Sequence, residues 1–137
     1  MAIISFIINS EISLEFAKKI KENNDFEIHG LAVDNSLDSK LKDSNIFSKI
    51  HKNIKSLSSH DIIFMDCMVK YRNDIIQALT KDNEKQLLLV DFSPAKSKAV
   101  EWANKNLNNN ISYISAFLVS NINIQYSKSD NIFEDQK

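Results

Sequence analysis

Short apolar runs alternate with stretches of helical periodicity along most of the chain, and that alternation restricts the fold more than any other feature. Residues 2–8 are an almost unbroken apolar run, as expected of a strand covered on both faces in the middle of a parallel sheet. Ser10 then offers an N-cap, and Ile12, Phe16, Ala17 and Ile20 recur at helical spacing until Asn23 and Asn24 end the helix. Strand character returns from Phe26 to Val33 and stops at the turn cluster Asp34-Asn35-Ser36. One strand–helix–strand unit is complete at that point.

Further along, Leu37 and Leu41 predict a short helix, Ile46-Phe47 a short strand, and Ile50, Ile54 and Leu57 another helical turn or two. Asp61 to Met65 reads as a buried strand, followed by a helix marked by Tyr71, Ile75, Ile76 and Leu79. Gln86 to Val90 is the next strand, Asp91 to Pro94 a turn, and Ala95 to Leu107 a helix, with Pro94 suited to its start. Asn108, Asn109 and Asn110 break that helix before a last core strand from Ile111 to Val119. The pattern predicts an α/β fold. Residues 1–120 form a single doubly wound domain, with a mostly parallel sheet, right-handed crossovers and helices on both faces. Residues 121–137 form a tail in which Ile122, Ile124 and Tyr126 alternate with polar residues, as in an edge strand or a dimer contact. Ligands of such a sheet bind beyond the carboxyl ends of its strands.

Composition excludes several classes. A chain of 137 residues fits one core, and 43% hydrophobic with 26% charged residues is ordinary for a globular protein. A net charge of -1 gives no field to attract nucleic acid or an anionic membrane, so neither is an expected partner. The single cysteine, Cys67, allows no intrachain disulfide and no cysteine-based zinc site, which suits a cytoplasmic protein. No apolar run approaches the ~20 residues that span a bilayer. The chain has one glycine and one proline. Only Gly30 is free to take positive φ without strain, and asparagine is expected at the other left-handed turn positions.

Four blocks carry a resemblance: residues 2–19, His29 to Asp34, Asp61 to Met65, and Leu88 to Lys96 with the helix residues Val100 to Ala103 after it. Together they resemble the N-terminal NAD(P)-binding Rossmann domain of prephenate dehydrogenase and related NAD(P)-dependent oxidoreductases. The resemblance implies a glycine-rich turn in the first block, where Ser5, Ile7 and Ser10 are the approximate counterparts of the glycines. A β-branched Ile7 fills the space that pyrophosphate occupies in such a turn. Asp34 resembles the carboxylate that hydrogen-bonds the adenosine ribose, and by its turn sequence it also reads as a cap. The catalytic histidine implied for residues 113–119 is missing, with Phe117 nearest its place, as is the helical C-terminal domain that closes over substrate.

The cofactor-binding candidates are therefore Ser5, Ile7, Ser10 and Asp34, with no catalytic residue assigned. Either no cofactor binds or, if one does, it is NAD. His29, His51 and His60 are scattered in sequence and assigned to no metal. Cys67 is read as a buried small side chain ahead of a reactive thiol. Asp91 and Lys96 are read as a capping carboxylate and an exposed lysine ahead of a functional pair. The expected function is that of a stand-alone, degenerate Rossmann-like domain working through protein contacts, including a homodimer, or through a small ligand. The alternative is an NAD(P)-dependent oxidoreductase resembling prephenate dehydrogenase.

Overall fold

The computed structural model describes residues 2–94 and 96–118. Strand β1 (Ile3–Ile8) leads into α1 (Glu11–Asn23) and then β2 (Glu27–Ala32). A 3-10 turn at Asn35–Leu37 runs into α2 (Asp38–Ser44), followed by β3 (Lys49–His51) and a second 3-10 turn at Ile54–Leu57. The other half is β4 (Ile62–Met65), α3 (Val69–Thr80), β5 (Leu87–Asp91), α4 (Lys96–Asn106) and β6 (Ile111–Ser115). All five strand pairings are parallel, in the order β3-β2-β1-β4-β5-β6. That is a Rossmann-like α/β fold, in which the chain starts at the centre of the sheet and winds outward twice.

The apolar runs are continuous because helices cover both faces of the central strands. On β1, Ile4, Phe6 and Ile8 face the core under α1 and α2 with Leu14, Ala17, Ile28 and Leu41. Ile7 belongs to the opposite core, with Leu31, Ile63, Met65, Ile76, Leu79 and Leu89, where α3 packs and Trp102 of α4 joins. Both cores are built on β1, the strand that is buried from Ile4 to Ile8.

Four expectations differ from the structure. The short strand lies at Lys49–His51, whereas Ile46 and Phe47 precede it and pack against the α1-side core as irregular chain. Gly30 sits inside β2 without positive φ, and what it supplies is space: a Cβ there would lie 2.9 Å from the Phe47 ring. Among the described residues, the left-handed non-glycine positions are Asn45, which ends α2, and Asp82, so asparagine fills only one of them. Strand β6 ends at Ser115, short of Val119, and the expected tail at 121–137 lies outside the described residues.

Candidate functional site

Strand order reverses between β1 and β4, so the loops after these two strands flank the crevice where a doubly wound sheet receives ligands. The first loop is two residues, Asn9 and Ser10, before α1 begins at Glu11. Counting G-x-G-x-x-G spacing from this turn puts its three positions at Ile8, Ser10 and Ser13. The structure places Ser5 and Ile7 earlier, inside β1, with 0% and 1% exposure. Of the four cofactor candidates, Ser10 and Asp34 therefore reach the carboxyl edge, while Ser5 and Ile7 face the interior.

The turn into α1 is partly capped by its own side chains. Ser10 Oγ accepts from Ser13 N at 3.3 Å, and Ser13 Oγ accepts from Ser10 N at 3.3 Å and Asn9 N at 3.4 Å. These amides are among those that a helix start without side-chain caps would offer to a phosphate. Ser10 Oγ also donates to Asp66 Oδ2 at 2.8 Å, joining the β1–α1 turn to the loop after β4. A carboxylate thus stands at the helix end that favours anions. Glu11 adds a second carboxylate there, paired with Lys40, whose hydrogen bond and charge hold the Glu11 carboxyl below its usual range.

Asp34 follows β2 and accepts from Ser36 N at 3.0 Å, capping the 3-10 turn as its sequence suggests. Val33, the residue before it, lines an open hollow of about 380 Å³ with Ile54 and with Tyr71, Asp74, Ile75 and Ala78 of α3. That volume is in the range of small-molecule sites, and the lining is mostly apolar.

Beyond β5 the edge is polar but buried. Asp91 is fully buried, accepting from Ser93 N at 2.8 Å and from the Tyr113 hydroxyl of β6. It is a capping carboxylate, as expected, but an interior one. Burial and then the hydrogen bond to Asp91 raise the Tyr113 phenol above its usual range. Cys67, 2% exposed, is pushed up to about 12, first by burial and then by the charges of Asp91 and Asp66. Thiol chemistry requires the thiolate. We therefore expect a maleimide at neutral pH to label Cys67 only after unfolding, and rapid labelling of the folded chain would contradict this burial.

The histidines, which sequence leaves scattered, converge. His29 of β2, His51 of β3 and His60 just before β4 are all buried, with ring centroids 4.8–5.4 Å apart. Burial is the largest cause lowering the pKa of His51 and of His60, the latter to about 4, with neighbouring His29 next. No local motif announces this cluster, because its members come from three separate segments. The available signal is the alternation Glu27-x-His29, which puts an acid and an imidazole on one face of a strand.

No family model matches the chain, and no curated protein matches it in sequence. Its fold is similar to solved structures of NAD(P)-dependent dehydrogenases. One is Mycobacterium tuberculosis 3-hydroxyisobutyrate dehydrogenase, at TM-score 0.73 and 10% identity, covering 88% of this chain and 41% of that one. Another is the Aquifex aeolicus prephenate dehydrogenase in complex with hydroxyphenyl propionate and NAD+, at TM-score 0.70 and 18% identity, covering 81% and 40%. An imine reductase from Myxococcus stipitatus in complex with NADP+ follows at 0.64 and 12%, covering 82% and 39%. At these identities the likeness shows the fold alone, and this chain spans 39–41% of the length of these three proteins.

Proposed function

We propose that the chain is a degenerate Rossmann-like domain that has given up dinucleotide binding and dehydrogenase activity. It works instead through a small uncharged ligand or a protein contact at the carboxyl edge of its sheet. The observation that carries this reading is the hydrogen bond from Ser10 to Asp66 across the switch point. A pyrophosphate entering there would displace the caps of α1 and meet a carboxylate, losing both the hydrogen bonds and the dipole attraction that normally hold it. The apolar hollow beside Asp34 supports a ligand without phosphates, since nothing in its lining offers a cation. Exposed Met68, Val69 and Tyr71 at the start of α3 support a protein contact at the same edge.

A second reading, an NAD(P)-linked oxidoreductase completed by another chain, is favoured by the position of Asp34 after β2 and by neighbours in complex with NAD+ and NADP+. Melting the purified chain with either cofactor separates the two. A ligand present at 100 times its dissociation constant stabilises by about 2.7 kcal/mol. We expect no rise in melting temperature at millimolar NAD+ or NADP+. A saturable rise that Asp34→Ala abolishes would establish the second reading in its place.

A further inference from the structure

We propose that His29, His51 and His60 form a binding site for one divalent transition-metal ion of the zinc class. One ligand nitrogen from each ring lies within 4.8 Å of the other two, and all three side chains are buried. Zinc–nitrogen bonds of about 2.0–2.1 Å in a tetrahedron put ligand nitrogens about 3.3 Å apart. His29 Nδ1 and His51 Nε2, now at 2.8 Å, need to part by roughly half an ångström, while His60 closes in. Imidazole is a suitable donor for zinc, copper, nickel and iron, and three imidazoles leave a fourth position for water.

The outer partners of the rings carry the argument further. His29 Nε2 lies 2.6 Å from Glu27 Oε2, and His51 Nδ1 lies 2.7 Å from Ser56 Oγ. Metal-binding histidines have this arrangement: the far nitrogen donates to a carboxylate or another acceptor, which fixes the tautomer and turns the near lone pair inward. Ser56 can accept from His51, because its own hydrogen has a second acceptor in Asn53 O at 2.6 Å. With both outer protons so placed, His29 Nδ1 and His51 Nε2 face each other as lone pairs at 2.8 Å and favour a cation between them, whereas in the metal-free chain Ser56 donating to His51 Nδ1 lets His51 Nε2 donate to His29 Nδ1. A proton or a metal ion would serve. The third imidazole, held at Nδ1 by Ser5, supplies the additional donor that a metal uses and a shared proton does not.

Nearby charges leave room for a cation. Glu27 is in direct contact with His29; of the basic groups near the rings, Lys85 is paired with Asp61 at 3.3 Å, and Lys49, which acts on His51, is exposed to solvent. The cluster sits at mid-strand, since Ser5 is in register with His29, and so lies away from the carboxyl edge. An ion there would fasten β2, β3 and the segment leading into β4, where β3 is only three residues long.

The test uses the untagged full-length chain, stripped with chelator, and titrated with Zn2+ by calorimetry and with Co2+ by visible absorption. We expect one ion per chain, the d–d spectrum of a four-coordinate site of three nitrogens and one water, and a higher melting temperature with Zn2+. His60→Gln should abolish the cobalt spectrum. Glu27→Gln, at a half-exposed position that tolerates change, should weaken binding about 10–100-fold while leaving the circular dichroism unchanged. A chain that takes up neither ion would overturn the proposal, as would an affinity that is the same in both variants as in the parent.

Discussion

Phe6→Ala is expected to lower the unfolding free energy by about 3–5 kcal/mol, the range for emptying a buried aromatic site. Phe6 is 1% exposed at the centre of β1, the strand on which both cores are built. Its ring stacks on Phe64 at 5.2 Å between centroids and meets Phe16 edge-on at 6.0 Å. Phe16 in turn packs edge-on against Phe92 at 5.3 Å, so one truncation loosens an aromatic group that ties α1 to β1, β4 and the loop after β5. Backbone neighbours on both sides are fixed by the ladders to β2 and β4, which limits collapse into the void. Urea unfolding checks this, with a parallel fall of roughly 10–20 °C in melting temperature. A loss below about 1 kcal/mol would mean that the α1-side core does not depend on this ring.

The second large effect is at Asp91. Asp91→Ala removes the acceptor for the Ser93 amide and the Tyr113 hydroxyl, both inside the protein. Leaving a buried donor unmet costs about 1–3 kcal/mol each, so a total of roughly 2–6 kcal/mol is expected. Asp91→Asn keeps an acceptor of the same shape and should recover much of that. It should also bring the Cys67 pKa down from about 12, because the charge of Asp91 is the second cause of its elevation. Burial is the first, so the thiol should stay above the ordinary value. Thiol titration by ultraviolet absorbance, alongside unfolding curves for the two variants, separates the structural loss from the electrostatic one.

The parts of the fold legible in the sequence are those whose hydrophobic period matches their environment. Helix α1 shows its cap at Ser10, its stripe of Phe16, Ala17 and Ile20, and its end at Asn24, and the structure has all of these, whereas Ile12, read into the same stripe, is exposed. Strands β1, β4 and β5 are nearly unbroken apolar runs because they are covered on both faces. Strand β3 escapes, since three residues containing an exposed lysine have no period to read, whereas the apolar pair Ile46-Phe47 imitates a strand while packing as loop. The site is half legible. Ser10 and Asp34 carry turn and cap chemistry that can be read locally. Ser5 and Ile7 do not reach the edge, because the turn comes only after Ile8. Asp66 and the histidines act through partners far away in sequence: Ser10 is 56 residues from Asp66, and His29 is 22 from His51. Only the order of the strands brings them together.

That order also explains how a Rossmann-like fold forms with no glycine at its first turn. Glycines at the first turn serve the ligand's approach and the tight bend, and here the two-residue turn is closed by Ser10 and Ser13. The sheet keeps its register through β1, whatever the turn binds. Backbone amide shifts during a titration of the 15N-labelled chain with NAD+ test this account most directly, because they report on the turn itself. The prediction is that the amides of Asn9, Ser10, Ser13 and Leu14 stay in place up to millimolar cofactor, held by their hydrogen bonds within the turn, which Asp66 anchors. Saturable shifts confined to these amides and to those around Asp66 would contradict it.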